Sequence, residues 1–369
     1  MTAPFKEGPP QRGLPRQPEI PASSSAQPET LLVTDSLVLL RGRSNPALAE
    51  SVRRNLQTRL GEPITIWEAT KAFPDSEITA SIDTSVRDKE VYIVQPTSPV
   101  FGPNGEKELS VSESITELKL MARAARAGGA KRIVAILGYY GNSRSDKETQ
   151  QRQPIHAAIT AEELEHCGIN MMLTLDLHSP QIKGFWRTGE WIDFSTASVM
   201  APFLQQELDG EIENYAVVAP DYGALERSQN LATQLGIRLE QTGFFPKKRI
   251  SPTEVRLGAL QNARVRGKRV LLVDDIASTG GTLLTAAQAL VEKYGATEVD
   301  IVVTHGLFVG DAIDKINESP YIKRVFTTNT VDHRQAVQES PKVTVFDTGA
   351  HWAEVIHRIH EGKSIRELI

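Results

Sequence analysis

From Leu31 onward, short apolar runs rich in β-branched residues alternate with longer amphipathic stretches, and that alternation limits the fold more than any other feature of the chain. Val91-Tyr92-Ile93-Val94 reads as a buried strand. Ser112 to Gly128 then sets Ile115, Leu118, Met121, Ala122 and Ala125 on one helical face, and Arg132 to Leu137 is again an apolar strand. A strand, a crossover helix and a further strand build parallel sheet. The order recurs as strand 216–218, helix 225–235, strand 269–273, helix 282–293 and strand 299–303. We therefore expect an α/β chain with two similar domains, 31–194 and 195–345, each a parallel sheet flanked by helices. Residues 346–369 are expected to form a helix that packs back on the first domain.

Composition narrows the function classes. Lys+Arg 41 against Asp+Glu 46 leaves a net charge of -5, which gives no global basic field for a nucleic-acid backbone, so no nucleic-acid partner is expected. No apolar run approaches the roughly 18 residues that cross a bilayer, so no membrane partner is expected either. The single cysteine, Cys167, excludes an internal disulfide and a multi-cysteine zinc site and fits a reducing, cytoplasmic setting. Residues 1–30 carry seven of the 21 prolines and almost no apolar side chains, and they read as a disordered tail without the signature of a targeting peptide. His351, His357 and His360 sit on a helical stretch at offsets unsuited to a metal pair, so they read as structural or solvated.

In parallel sheets, ligands bind beyond the carboxyl ends of the strands. The most informative such end is 270–282, Val-Leu-Leu-Val-Asp-Asp-Ile-Ala-Ser-Thr-Gly-Gly-Thr. Gly280 and Gly281 let backbone N–H groups converge on an anion, while Ser278, Thr279 and Thr282 add hydroxyls at the start of a helix. That is a phosphate cradle. Asp274 and Asp275 would repel a phosphate but can accept hydrogen bonds from vicinal sugar hydroxyls, so the string describes a ribose 5-phosphate site. The competing reading is a plain helix cap, which needs only one of these residues.

This string resembles the motif that type I phosphoribosyltransferases share with the synthetases of phosphoribosyl diphosphate (PRPP). Leu173-Thr174-Leu175-Asp176-Leu177-His178 resembles a segment found in the synthetases alone, and Ser85-Val86-Arg87, Pro220-Asp221-Tyr222-Gly223 and Thr304-His305-Gly306 match in the same order. The chain is thereby identified as a member of the ribose-phosphate diphosphokinase family, with a type I phosphoribosyltransferase-like fold. The resemblance implies transfer of the diphosphoryl group of ATP to ribose 5-phosphate, with Mg²⁺ as cofactor and a homo-oligomer, a hexamer built from dimers. It assigns His178 to catalysis and, with Asp221, to the metal; Asp221 also joins the ribose 5-phosphate set. Lys247 and Arg249 match the catalytic loop that grips the migrating group.

On the nucleotide side the resemblance implies Phe73, Asp75 and Glu77, which reach the ATP of a neighbouring subunit, together with Arg144 and Asp146. Ser85, Arg87 and Arg152 match an allosteric phosphate site. One stretch departs from the family. Gly141 and Asn142 stand where its nucleotide-contacting Arg and Gln lie, with Arg144 or Lys147 as substitutes if the loop shifts. Two alternatives follow: a catalytically impaired paralogue that regulates or assembles with a true synthetase, and a phosphoribosyltransferase, which shares only 270–282.

Overall fold

The computed structural model describes residues 33–208, 212–249 and 255–369. The proline-rich segment 1–30 lies outside the described residues. Residues 33–369 form one compact unit built on two six-stranded, all-parallel sheets.

The first sheet and its helices follow the chain as β1 (Leu37–Arg41), α1 (Pro46–Leu60), β2 (Ile66–Glu68), β3 (Glu90–Val94), α2 (Val111–Ala127), β4 (Arg132–Gly138), α3 (His156–His166), β5 (Met171–Leu175) and β6 (Glu190–Phe194). Its strand order is β6-β5-β4-β3-β1-β2. Helix α2 starts where it does because Ser110 and Glu113 form a capping box: Glu113 N–H donates to Ser110 Oγ at 3.2 Å, and Ser110 N–H donates to Glu113 Oε2 at 2.7 Å. The apolar face read from the sequence then buries Leu118, Met121, Ala122 and Ala125 against Val91, Ile93 and Ile133.

The second sheet comprises α4 (Thr196–Glu207), β7 (Tyr215–Ala219), α5 (Leu225–Leu235), β8 (Thr242–Phe244), β9 (Arg269–Ala277), α6 (Gly281–Glu292), β10 (Glu298–Gly306), α7 (Ala312–Glu318), β11 (Ile322–Thr328) and β12 (Val343–Phe346). Here the order is β8-β7-β9-β10-β11-β12. One sequence expectation is corrected. Strand β9 does not stop at Val273 but continues through both aspartates to Ala277, because β10 pairs with it all the way, Asp274 opposite Val303 and Ala277 opposite Gly306. The acid pair is therefore held on a strand and not in a loop.

The last helix, α8 (Gly349–His360), returns to the first sheet and lies against α1. Trp352, Val355, Ile356 and Ile359 share one core with Leu48, Val52 and Leu56 of α1 and with Phe194 of β6. Trp352 is fully buried, and its Nε1 donates to Thr348 Oγ1 at 3.1 Å. The three histidines of this helix have separate partners: His351 stacks edge-on with Phe194, His357 pairs with Glu361, and His360 Nδ1 meets Glu90 Oε2 at 2.8 Å.

Candidate active site

A cleft of about 830 Å³ is lined by strand ends from both sheets, and it gathers Arg144, Asp146, His178, Asp221, the Asp274-Asp275 pair and 278–282. Its floor is the turn between β9 and α6. Gly280 caps that helix at φ 74, a left-handed conformation that favours glycine, and no side chain caps the helix N-terminus. The turn is pinned from below by the main chain, since Phe308 N–H and Val309 N–H donate to the Ala277 and Ser278 carbonyls at 3.0 Å each. Helix N-terminal amides without a capping side chain, next to exposed Thr279 and Thr282, are what an anion site needs and a simple cap would not leave.

Above the floor, one partly buried cation gathers three acids. Arg227 of α5 lies 3.2 Å from Asp176 Oδ1, 3.1 Å from Asp275 Oδ1 and 3.8 Å from Asp274 Oδ1. Burial works against its charge, but the three carboxylates outweigh it and hold the guanidinium pKa above its ordinary value. The second oxygen of Asp275 meets His178 Nδ1 at 2.7 Å, so β9 of the second sheet holds an imidazole from the loop after β5 of the first. That hydrogen bond raises the His178 pKa against the opposing effect of burial.

The aspartate pair is polarised. Burial pushes Asp275 up, yet Arg227 and the His178 hydrogen bond outweigh burial and hold its carboxyl below the usual range. Burial and then the charge on Asp275 drive Asp274 the other way, well above its ordinary value. The two carboxyls are therefore pushed in opposite directions, with Asp275 the one whose charged form is favoured. Asp221 is fixed by accepting from Ala224 N–H at 3.2 Å. It follows β7 and faces the same cleft.

The departure at Gly141-Asn142 has a structural cause. Gly141 N–H donates to Thr97 Oγ1 at 2.7 Å, and a Cβ on Gly141 would come within 2.4 Å of the Thr97 carbonyl and 2.7 Å of Val111. Asn142 turns inward, with Nδ2 donating to Thr160 Oγ1 at 3.1 Å. Neither position points a charge at the cleft, whereas Arg144, Asp146 and Lys147 line it. Gly141→Arg is expected to destabilise the protein by about 1–3 kcal/mol through overpacking against backbone. Thermal unfolding would read this as a lowered midpoint, and an unchanged midpoint would contradict it.

Other sequence candidates lie elsewhere. Phe73, Asp75 and Glu77 sit on an exposed turn between the paired strands Thr70–Ala72 and Ile78–Ala80, and they do not line the cleft of their own chain. Ser85, Arg87 and Arg152 are exposed and also outside it; Arg87 packs by Gly129, and Arg152 N–H donates to Glu148 Oε1 at 2.9 Å. Lys247 and Arg249 belong to a strand, 247–249, paired antiparallel with 255–257, and their side chains lie outside the described residues. Among the described residues, no three His, Cys, Asp or Glu side chains form a metal-holding group. The donor set of His178 and Asp221 suits a divalent ion that brings most of its oxygen ligands with it.

Sequence reasoning missed Arg227, and it left Asp176 and Thr304 without a role. A signal for Arg227 was present: it lies four and eight residues before Leu231 and Leu235, on the buried face of α5, where an arginine needs a reason.

Comparisons with known proteins agree on the family. The model for the N-terminal domain of ribose phosphate pyrophosphokinase matches residues 37–168, and the phosphoribosyl synthetase-associated domain matches 258–369. The chain is 32% identical to a ribose-phosphate pyrophosphokinase of Cereibacter sphaeroides over 333 residues, 89% of this chain and 94% of that protein. It is 33% identical to ribose-phosphate pyrophosphokinase A of Dictyostelium discoideum, covering 90% of this chain and 98% of that one. The crystal structure of phosphoribosylpyrophosphate synthetase from Mycobacterium smegmatis superposes with a TM-score of 0.75 at 28% identity, covering 89% of this chain and 99% of that one. With identities of 32–33% over about nine-tenths of its length, the chain belongs to the ribose-phosphate pyrophosphokinase family.

Proposed function

We propose that the protein transfers the β,γ-diphosphoryl group of ATP to the 1-hydroxyl of ribose 5-phosphate, yielding PRPP, AMP and a proton. The observation that carries this reading is the meeting of an uncapped helix N-terminus with His178 and Arg144 in one cleft. The amides and hydroxyls of 278–282 receive the 5-phosphate. Asp274, Asp221 and, through its remaining acceptor capacity, Asp275 orient the ribose hydroxyls by accepting hydrogen bonds from them.

Arg144 and Asp146 contact the nucleotide, and Lys247 with Arg249 grips the diphosphoryl group as it moves. His178 donates to the polyphosphate from the side that Asp275 leaves open. The step needs alignment and charge stabilisation more than covalent chemistry, which suits a cleft made of amides, cations and one oriented imidazole. Bound Mg²⁺, held by Asp221, would neutralise charge on the nucleotide's phosphate oxygens and leave the open nitrogen of His178 to donate.

Phe73, Asp75 and Glu77 serve the nucleotide site of a neighbouring copy, so the working form is a homo-oligomer, a hexamer built from dimers. Ser85, Arg87 and Arg152 form a regulatory phosphate site in that assembly. No helix among the described residues is long and apolar enough to cross a membrane, and we place the protein in the cytoplasm. No observation favours the impaired paralogue.

A donor panel tests the reading. Purified protein with Mg²⁺ and ribose 5-phosphate is offered ATP, dATP, GTP and CTP in turn, and nucleoside monophosphate and PRPP are measured. Equal amounts of AMP and PRPP from ATP support the proposal; no monophosphate from any donor overturns it.

A further inference from the structure

We propose that Arg227 is the positioning residue for His178 and fixes it from two sides at once. Its Nε donates to Asp176 Oδ1 at 3.2 Å, and its Nη2 donates to the Leu177 carbonyl at 3.3 Å. It thereby holds the two residues immediately before the histidine. Its Nη1 lies 3.1 Å from Asp275 Oδ1, and the other oxygen of that carboxylate meets the imidazole at 2.7 Å. One planar fork thus restrains both the main chain that carries His178 and the group that orients its ring.

Two further observations favour positioning over simple charge balance. Asp176 has φ 58, an uncommon left-handed conformation for a residue other than glycine, and it needs surrounding contacts to persist. Arg227 supplies one contact, Thr304 supplies another by donating to Asp176 Oδ2 at 2.5 Å, and Asp176 N–H donates to the Phe194 carbonyl at 2.8 Å. Thr304 in turn shares a hydrogen bond of 2.6 Å with Thr196. The partners also come from different places: Asp176 and Leu177 follow β5 of the first sheet, Asp275 is on β9 of the second, and Arg227 is on α5. A lysine could neutralise the acids, but a point charge cannot hold a carbonyl and two carboxylates in fixed directions.

This inference rests on the reading of His178 as a catalytic residue, so its test has one readout tied to turnover and one that is not. Arg227→Met, Arg227→Lys, His178→Ala and the double variant Arg227→Met with His178→Ala are compared by radiolabelled AMP formation. We expect Arg227→Met to lower kcat about a hundred-fold, with both KM values changed by less than about three-fold. Arg227→Lys should recover about ten-fold of that loss. The double variant should turn over within about three-fold of His178→Ala alone, because a residue that acts through His178 then has nothing left to position. If Arg227→Met does not unfold cooperatively, Arg227→Lys with and without His178 makes the same comparison.

The second readout is the ring nitrogen spectrum of ¹⁵N-histidine-labelled protein. Arg227→Lys should move the His178 signals from those of a fixed, hydrogen-bonded ring toward averaged values. Wild-type kcat in Arg227→Met, a further hundred-fold loss in the double variant, or His178 signals that do not respond to Arg227→Lys would overturn the proposal. The spectrum decides even if the wild-type protein proved inactive, an outcome that would overturn the diphosphoryl-transfer reading instead.

Discussion

His178→Ala is expected to lower kcat by about a thousand-fold while leaving the folding midpoint nearly unchanged. The size follows from the place of the imidazole. It is a donor held in advance at a cleft wall, and its alignment has already been fixed by Asp275, so no reorganisation is needed when phosphate charge shifts in the transition state. The small effect on stability follows from the same geometry. The His178 side chain is 38% exposed, and removing it leaves Asp275 paired with Arg227 at 3.1 Å instead of stranded as a lone buried charge. Steady-state kinetics with a thermal scan checks both parts. A variant with near-normal kcat would remove His178 from the mechanism, and one with a collapsed midpoint would make it a structural residue.

Lys247→Ala is the second large effect, with kcat lower by about a hundred- to a thousand-fold and KM for ribose 5-phosphate little changed. Among the described residues, 247–249 pair with 255–257, outside both main sheets, and the substitution is expected to leave the folding midpoint nearly unchanged. In the proposed reaction the Lys247 cation acts on oxygens whose charge grows during transfer, and such an interaction is lost from kcat and not from ground-state binding. Arg249→Lys should also be slow, because a single ammonium cannot reproduce a planar fork. Equal losses in KM and none in kcat for Lys247→Ala would show that the loop only binds substrate.

The sheets were legible in the sequence because parallel strands buried on both faces read as unbroken apolar runs, as at Val91–Val94 and Val270–Val273. The phosphate turn was legible because its residues are contiguous. Arg227 with Asp176 and Asp275 was not: the partners lie 51 and 48 positions away from Arg227 and meet only when the two sheets meet. The full length of β9 was hidden for a related reason. Two adjacent aspartates look like a strand end, and pairing with β10 overrides that local preference. At Gly141 the sequence marked a departure from the family, but only the 2.4 Å approach to the Thr97 carbonyl explains why no arginine stands there.

The fate of label from ATP carrying ³²P at the β-phosphate, and separately at the γ-phosphate, tests the central claim most directly. The account predicts that both labels enter the sugar product together, only when ribose 5-phosphate is present, with an equal amount of unlabelled AMP released. Transfer of the γ label alone with release of ADP, or no labelled sugar at all, would contradict it.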